Sequence, residues 1–385
     1  MIDPDIAFAL TGDLNRNSRA LKQLSSLAGS GFTVRVFHLG GDSPAAPLPD
    51  TVHASIVRVS AGSGPMHFLR VHRAFRDAIG ACRARLFHAS DLYVLAACRR
   101  ASDRFRVPFT YDARELYPHV AATTGRPWAR WWWQRVEGKH IRSASAVFTV
   151  SDSIADSLSK TYTIDRPTLV QNTPLASATY RDDTADAEPN LRELLGGSSE
   201  RLILHLGQMK KARGCENLVR AMKTVERAHL VFLGYGPLKT ELQRLTSEQN
   251  LDDRVHFLDP VSPAAIHSTI RSADIGVTLL EDTCLNHRYA LPNKLFDYLL
   301  AGLPVLGSDL QEVSRLMDDH DVGLCVNASS PQAIGNALND MLLGPRLSKW
   351  RRNALKASET FRWETASQHL MNEFIRLLSP SSSVS

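Results

Sequence analysis

From residue 6 onward, short runs rich in Val, Ile and Phe alternate with longer stretches in which apolar residues recur every three or four positions. The runs predict buried strands and the longer stretches predict amphipathic helices. In the first half strands are expected at 6–11, 33–38, 55–59, 86–89, 109–111, 146–150 and 168–171. After residue 200 the alternation starts again, with strands at 202–206, 230–233, 255–258, 275–279, 304–306 and 323–326 and helices between them. Strands that alternate with helices in this way form parallel sheets covered on both faces. The expected fold class is therefore α/β, with two doubly wound, Rossmann-like domains at residues 1–176 and 200–360. Residues 177–199, rich in Asp, Ala, Thr and Ser and carrying one short helix at 191–195, read as a linker. A last helix is expected within residues 361–378, followed by a Ser-rich tail, 379–385, with the composition of a disordered segment.

Composition narrows the class without naming a chemistry. A hydrophobic share of 43% with 22% charged residues suits a globular protein of two ordinary domains. The start, Met1-Ile-Asp-Pro-Asp, lacks the basic region of a signal peptide. No apolar run approaches the roughly 18 residues of a membrane span. Cysteines 82, 98, 215, 284 and 325 are scattered and without metal spacing, as expected of small core residues in a reducing cytosol. Charge changes the picture more. Residues 1–176 hold 22 Lys and Arg against 14 Asp and Glu, a balance of +8, so with +5 overall residues 177–385 stand at −3. Either the first half meets something anionic, such as a membrane surface, or its Arg content reflects a GC-rich genome.

The most informative stretch is Tyr289-Ala-Leu-Pro-Asn-Lys-Leu-Phe-Asp-Tyr-Leu-Leu-Ala-Gly-Leu-Pro-Val-Leu-Gly-Ser-Asp309. Pro292 suits the first position of a helix, and Gly302 followed by Pro304 suits a left-handed cap and a forced exit. The first turn offers the backbone N–H groups of Asn293 and Lys294, and with the Lys294 ammonium these favour a phosphate. Asp297, one turn on, would repel a phosphate but can accept two hydroxyls of a ribose.

Residues 291–305 of this stretch resemble the donor-sugar motif of GT-B glycosyltransferases, family 4 in particular, in which two acids with seven residues between them precede Gly-x-Pro-Val. Asp297 takes the place of the second acid. Tyr289 stands at the first, as in a branch of such enzymes that carries Leu-Pro-Asn-Lys. Two further loops agree with the resemblance. Gly207-Gln-Met-Lys-Lys-Ala-Arg-Gly214 joins a strand to a helix and holds three cations in four residues, a composition that can clamp a diphosphate. Arg213 matches the family's second cation there, and Lys210 or Lys211 would supply the first. Gly234-Tyr-Gly-Pro237 matches the family's Gly-x-Gly-Pro, and residues 258–261, Val261 among them, would line a base pocket. The resemblance implies two domains facing across a cleft, the acceptor held by the first and the activated sugar by the second. It also implies a last helix that crosses back to the first domain.

In the first half the residues after each strand are the candidates for ligand contact, because ligands of such sheets sit beyond the carboxyl ends of the strands. Gly12 opens a short loop that can bring backbone N–H groups to a phosphate, or is an ordinary strand-to-helix turn. Asp112, Arg114 and Glu115 crowd the end of the fifth strand, where they either contact an acceptor or order their own loop. Residues 125–142 contain four Trp, and five Lys and Arg against one Glu. Trp128, Trp132, Arg135 and Val136 share one helical face, expected to be the core face, whereas Trp131 and Trp133 point elsewhere. This helix and a second basic one at 66–85 are either membrane-surface elements or solvated faces over an apolar stripe.

The function the resemblance implies is transfer of a sugar from a nucleotide-diphosphate donor to a hydroxyl acceptor, with retention of configuration, in polysaccharide or glycolipid synthesis. Arg213 and Lys294 would stabilise the departing diphosphate. Gly12, Gly207, Lys210, Lys211, Gly234, Gly236, Val261, Asn293 and Asp297 would bind the donor, with Asp112, Arg114 and Glu115 on the acceptor side. No cofactor or metal is expected, because Lys and Arg already neutralise the diphosphate and Asp182-Asp183, Asp252-Asp253 and Asp318-Asp319 read as surface turns. A cytoplasmic location is expected, with peripheral contact to the inner face of a membrane as an option. Two rival readings are a sugar-nucleotide epimerase on the same fold and a non-catalytic partner of another transferase. Nucleic acid is not an expected partner, because the basic residues fit no known module.

Overall fold

The structure is a computed structural model, and it describes residues 3–41, 47–60, 62, 64–175, 190–197 and 199–379. Most of the expected linker, the Asp182-Asp183 pair and the tail from 380 lie outside the described residues. The chain divides into two compact units, one of residues Met1–Asn172 with Thr365–Ser385 and one of residues Thr173–Glu364.

Unit 1 contains β1 (Ile6–Ala9), α1 (Ser18–Gly29), β2 (Val34–His38), β3 (Val52–Ile56), α2 (Gly64–Gly80), β4 (Leu86–Ala89), α3 (Leu92–Phe105), β5 (Phe109–Ala113), α4 (Pro127–Ile141), β6 (Ala146–Thr149), α5 (Asp152–Tyr162) and β7 (Thr168–Leu169). Its seven strands pair in parallel in the order β3-β2-β1-β4-β5-β6-β7. The central strands β1, β4 and β5 are buried along their whole length, as their unbroken apolar runs require. The edge is less legible. β3 begins three residues before the run at 55–59, because its pairing with β2 sets Val34 opposite Val52 and His38 opposite Ile56. An edge strand with one solvated face has no need of a continuous apolar run.

Unit 2 contains α6 (Leu191–Leu194), β8 (Arg201–Leu206), α7 (Cys215–Ala221), β9 (Ala228–Leu233), α8 (Lys239–Glu248), β10 (Val255–Leu258), α9 (Ile266–Ile270), β11 (Ile275–Thr278), α10 (Leu285–Arg288), α11 (Asn293–Leu300), β12 (Val305–Ser308), α12 (Gln311–His320), β13 (Gly323–Val326), α13 (Pro331–Leu343) and α14 (Leu347–Thr360). Its six parallel strands are ordered β10-β9-β8-β11-β12-β13. Both sheets thus start at a central strand, run outward to one side and return on the other. The reversal opens a crevice at the carboxyl ends of β1 and β4 in unit 1, and of β8 and β11 in unit 2. The last helix, α15, spans Trp363–Leu378. Its Phe374 stacks on Phe148 of β6 with ring centroids 6.0 Å apart and packs on His88 of β4 at 5.5 Å.

The Trp-rich helix reverses one expectation. Trp128 and Trp132, assigned to the core face, are 67% and 54% exposed, and Trp131 is 59% exposed. Trp133 is the indole that packs, edge-on to Phe68 at 5.6 Å and to Tyr93 at 5.2 Å. The buried positions of α4 are Ala129, Glu137, Gly138 and Ile141. Gly138 lets Tyr162 close in, since a Cβ there would stand 3.1 Å from its ring. The phenol then reaches Glu137, and this buried polar pair outweighed indole hydrophobicity in choosing the inward face.

Candidate active site

The crevice of unit 2 is built by α11. Leu295, Phe296, Tyr298, Leu299 and Leu300 face inward, and burying side chains of this size contributes roughly 1.5–3 kcal/mol each. Tyr298 fixes the helix to the sheet. Its hydroxyl accepts the Leu206 N–H at 2.9 Å and lies 3.1 Å from the Val277 carbonyl, and Gly276 leaves room for its ring. The helix begins at Asn293 with Pro292 as its cap, one position earlier than expected for the proline. It ends as the sequence implies. Gly302 takes a φ of 70°, its N–H bonds the Leu299 carbonyl, and the Leu303 N–H bonds the Tyr298 carbonyl.

Held in this way, the first turn of α11 delivers Lys294 to the end of β8. The ammonium donates to Nε2 of His205 at 3.2 Å, and the Cys215 sulfur is 3.7 Å from the same nitrogen. His205 is buried, and burial together with the Lys294 charge holds its imidazole neutral. Desolvation also lowers Lys294, to about 7, with the Arg213 charge pushing the same way against the pull of Cys215 and Asp297. Arg213 and Lys210 both act on His287 of α10, which desolvation lowers first. Arg213 thus lies within electrostatic reach of both Lys294 and His287, and Lys210 within reach of His287.

Glycines draw the loops together. A Cβ on Gly234 would stand 2.1 Å from the Gly207 carbonyl oxygen, and one on Gly236 would stand 2.2 Å from that of Met209. Hence the 207–214 and 234–237 loops touch backbone to backbone, with the Gly207 N–H on the Leu233 carbonyl and the Met209 N–H on that of Tyr235. Gly214, at φ 66°, caps α7 against Leu279. Lys211 and Asn293 are exposed, and Val261 is half-buried against the apolar cluster beneath α11. Asp297 faces His267 of α9, with its Oδ1 3.1 Å from Nε2.

Four residues here escaped the sequence reading: His205, His267, Glu281 and Tyr298. His205 carried a signal, being the one polar residue in an apolar strand that runs into a glycine loop. Glu281 sits past β11, where burial and the neighbouring Glu216 raise its carboxyl against the lowering effect of the Gly214 N–H.

Unit 1 presents a different crevice. The Thr11 N–H and hydroxyl both donate to Asp91, at 2.7 and 2.8 Å, and Arg114 lies 3.8 Å from the same carboxylate. Gly12 follows at a φ of 131°. Asp112, expected either to contact an acceptor or to order its own loop, is fully buried. Arg19 grips it with two bonds of 2.8 Å and Gln23 with a third, so it anchors β5 from beneath. Burial raises Asp112, but the Arg19 charge prevails and its carboxyl stays below the usual range. Glu115 is exposed.

Residues 17–173 match the family described as "Glycosyl transferase 4-like domain", and residues 200–343 match "Glycosyl transferases group 1". Among curated relatives, the alpha-D-kanosaminyltransferase of Streptomyces kanamyceticus is 24% identical over 255 residues, 62% of this chain and 61% of that enzyme. The lipopolysaccharide core biosynthesis glycosyltransferase LpsD of Rhizobium meliloti is 26% identical over 177 residues, 46% of this chain and 48% of the relative. The chain thus spans less than two thirds of either relative. Among solved structures, the sucrose-phosphate synthase of Thermosynechococcus elongatus superposes with a TM-score of 0.79 at 18% identity, over 98% of this chain and 100% of that one. Anabaena HepE in complex with UDP gives 0.71 at 15% identity, over 96% and 98%. The chain has the GT-B fold, and its two halves are similar, in order, to a glycosyltransferase 4-like domain and a group 1 glycosyltransferase domain.

Proposed function

We propose that the protein transfers a sugar from a nucleotide-diphosphate donor to a hydroxyl acceptor, with the diphosphate at the first turn of α11. The observation that carries this reading is Lys294 at the end of β8, lowered to about 7 first by burial and also by the Arg213 charge, with Arg213 and Lys210 both in reach of His287. A desolvated amine of this kind gains an anion as a partner for its charged form. The N–H groups of the first helical turn favour the same anion. The group 1 domain match and the UDP bound by HepE support a nucleotide sugar as the anion.

In the proposed reaction the bond between the anomeric carbon and the phosphate oxygen breaks, and the electron pair leaves with the diphosphate. Arg213 and Lys294 stabilise the charge that grows there. The acceptor oxygen bonds to the anomeric carbon on the face the phosphate leaves, with retention of configuration. Its proton passes to the departing phosphate. Asp297 holds the ribose hydroxyls, aligned by His267.

Because the cations are supplied by the chain, turnover is expected to survive EDTA. Complete loss, restored by magnesium or manganese, would overturn the metal-free reading. The donor class is tested by thermal shift with UDP, GDP, ADP and their sugars. A ligand at about 100 times its dissociation constant adds roughly 2.7 kcal/mol to stability. One nucleotide series is expected to stabilise the protein and nucleosides are not; no response to any diphosphate would refute the site.

A further inference from the structure

Helix α4 turns its aromatic side outward. Trp128, Trp131 and Trp132 share the solvent face with Arg135 and Lys139, as positions three and four apart on a helix must. Arg135 lies 5.9 Å from the Trp131 ring. The start of α2 continues the patch with Met66, Phe68 and Leu69, all exposed, and Phe68 touches Trp133 of α4. Basic residues surround these groups. Arg126 and Arg130 on α4 and Arg70 and Arg73 on α2 are exposed, whereas the one acid of α4, Glu137, is buried and takes hydrogen bonds from Tyr111 at 2.6 Å and Tyr162 at 2.7 Å.

We propose that this face of α4 and α2 is a docking surface for an anionic lipid bilayer. An exposed apolar cluster of this size on a polar-rimmed surface marks an interaction site. Three features select a bilayer over a protein partner. Indoles have an apolar body and a polar N–H, which suits the boundary between hydrocarbon and headgroups. The rim is basic and matches anionic headgroups, in a half-chain with a balance of +8. Finally, an aromatic face on a helix with its acid turned inward is the pattern of an element that lies in the plane of the interface. No helix among the described residues is long and apolar enough to cross a membrane, so the contact is a surface one.

The test is co-sedimentation of the full chain with vesicles of phosphatidylcholine, and with vesicles in which one third of that lipid is replaced by phosphatidylglycerol. Binding to the anionic vesicles is expected, with little to the neutral ones, a loss on raising salt and a blue shift of Trp fluorescence. The triple variant Trp128→Ala, Trp131→Ala, Trp132→Ala is expected to bind at least tenfold more weakly with an unchanged melting temperature. Arg126→Glu with Arg130→Glu is expected to abolish the preference for anionic lipid. No binding at low salt, equal binding to both vesicles, or full binding by the triple variant would overturn the proposal. So would a dimer that the triple variant abolishes while vesicles are ignored, because the face would then serve a second copy. None of these outcomes depends on whether the protein transfers a sugar.

Discussion

The two crevices occupy equivalent places in two sheets of the same topology, yet their charges are treated in opposite ways. At the ends of β1, β4 and β5, charge meets opposite charge: Arg19 holds Asp112, Thr11 donates to Asp91, and Arg114 lies beside both acids. At the ends of β8 and β11, Lys294 rests against a neutral His205 and under the field of Arg213. Ion-paired groups hold a strand end rigid. A desolvated lysine costs folding energy and recovers part of it when an anion arrives.

The largest test of this contrast is Arg19→Ala. It leaves the Asp112 carboxylate buried without its bidentate partner, and breaking such a pair costs about 3–5 kcal/mol. Chemical denaturation is expected to show that loss in unit 1, with no change in the affinity of isolated donor analogues such as UDP. Next is Arg213→Ala, which is expected to lower kcat by roughly 100-fold or more, the scale seen when one preorganised donor is removed. Its stability is expected to fall far less than that of Arg19→Ala, because Arg213 is only partly buried. A loss of stability comparable to that of Arg19→Ala would make unit 2 a structural network too, and the contrast would fall.

How much of this was legible in the sequence follows the same division. The stretch at 289–309 was readable because its signals are local: Gly302 caps α11 where a left-handed residue must stand, and Leu291-Pro-Asn-Lys places Lys294 in the first turn. The glycine loops were readable for the same reason. What escaped was set by partners distant in sequence. Asp112 gave no sign that Arg19, 93 residues away, would bury it. Trp128 and Trp133 differ in environment because Phe68, Tyr93 and the Glu137–Tyr162 contact select the inward face of α4, and periodicity alone is blind to those neighbours.

A smaller effect is expected at Asp297. If its carboxylate holds ribose hydroxyls equally before and during reaction, Asp297→Asn weakens uniform binding, and donor KM rises about tenfold with kcat nearly constant. Steady-state kinetics separates this from Arg213→Ala. If both leave kcat and donor KM unchanged in a folded protein, the stretch at 289–309 is a well-capped helix and nothing more.

The smallest expected signal is a single proton, and it addresses the Lys294 charge directly. With Lys294 lowered to about 7, the free protein at pH 8 holds this amine mostly neutral. A diphosphate beside it favours the ammonium, so UDP binding at pH 8 is expected to take up close to one proton, and at pH 6 almost none. Calorimetry in two buffers of different ionisation enthalpy reads that number. The sign for stability follows from the same shift. In the unfolded chain a lysine keeps its proton to about pH 10.4. Between 7 and that value the unfolded state binds more protons than the native one, so the contribution of Lys294 to the free protein's stability rises with pH. The added stability from UDP falls over the same window, because the amine must first be protonated. Lys294→Arg, always charged, is expected to remove both trends while still binding UDP. Equal uptake at pH 6 and 8, or uptake that persists in Lys294→Arg, would mean that another group carries the proton and that Lys294 does not meet the diphosphate.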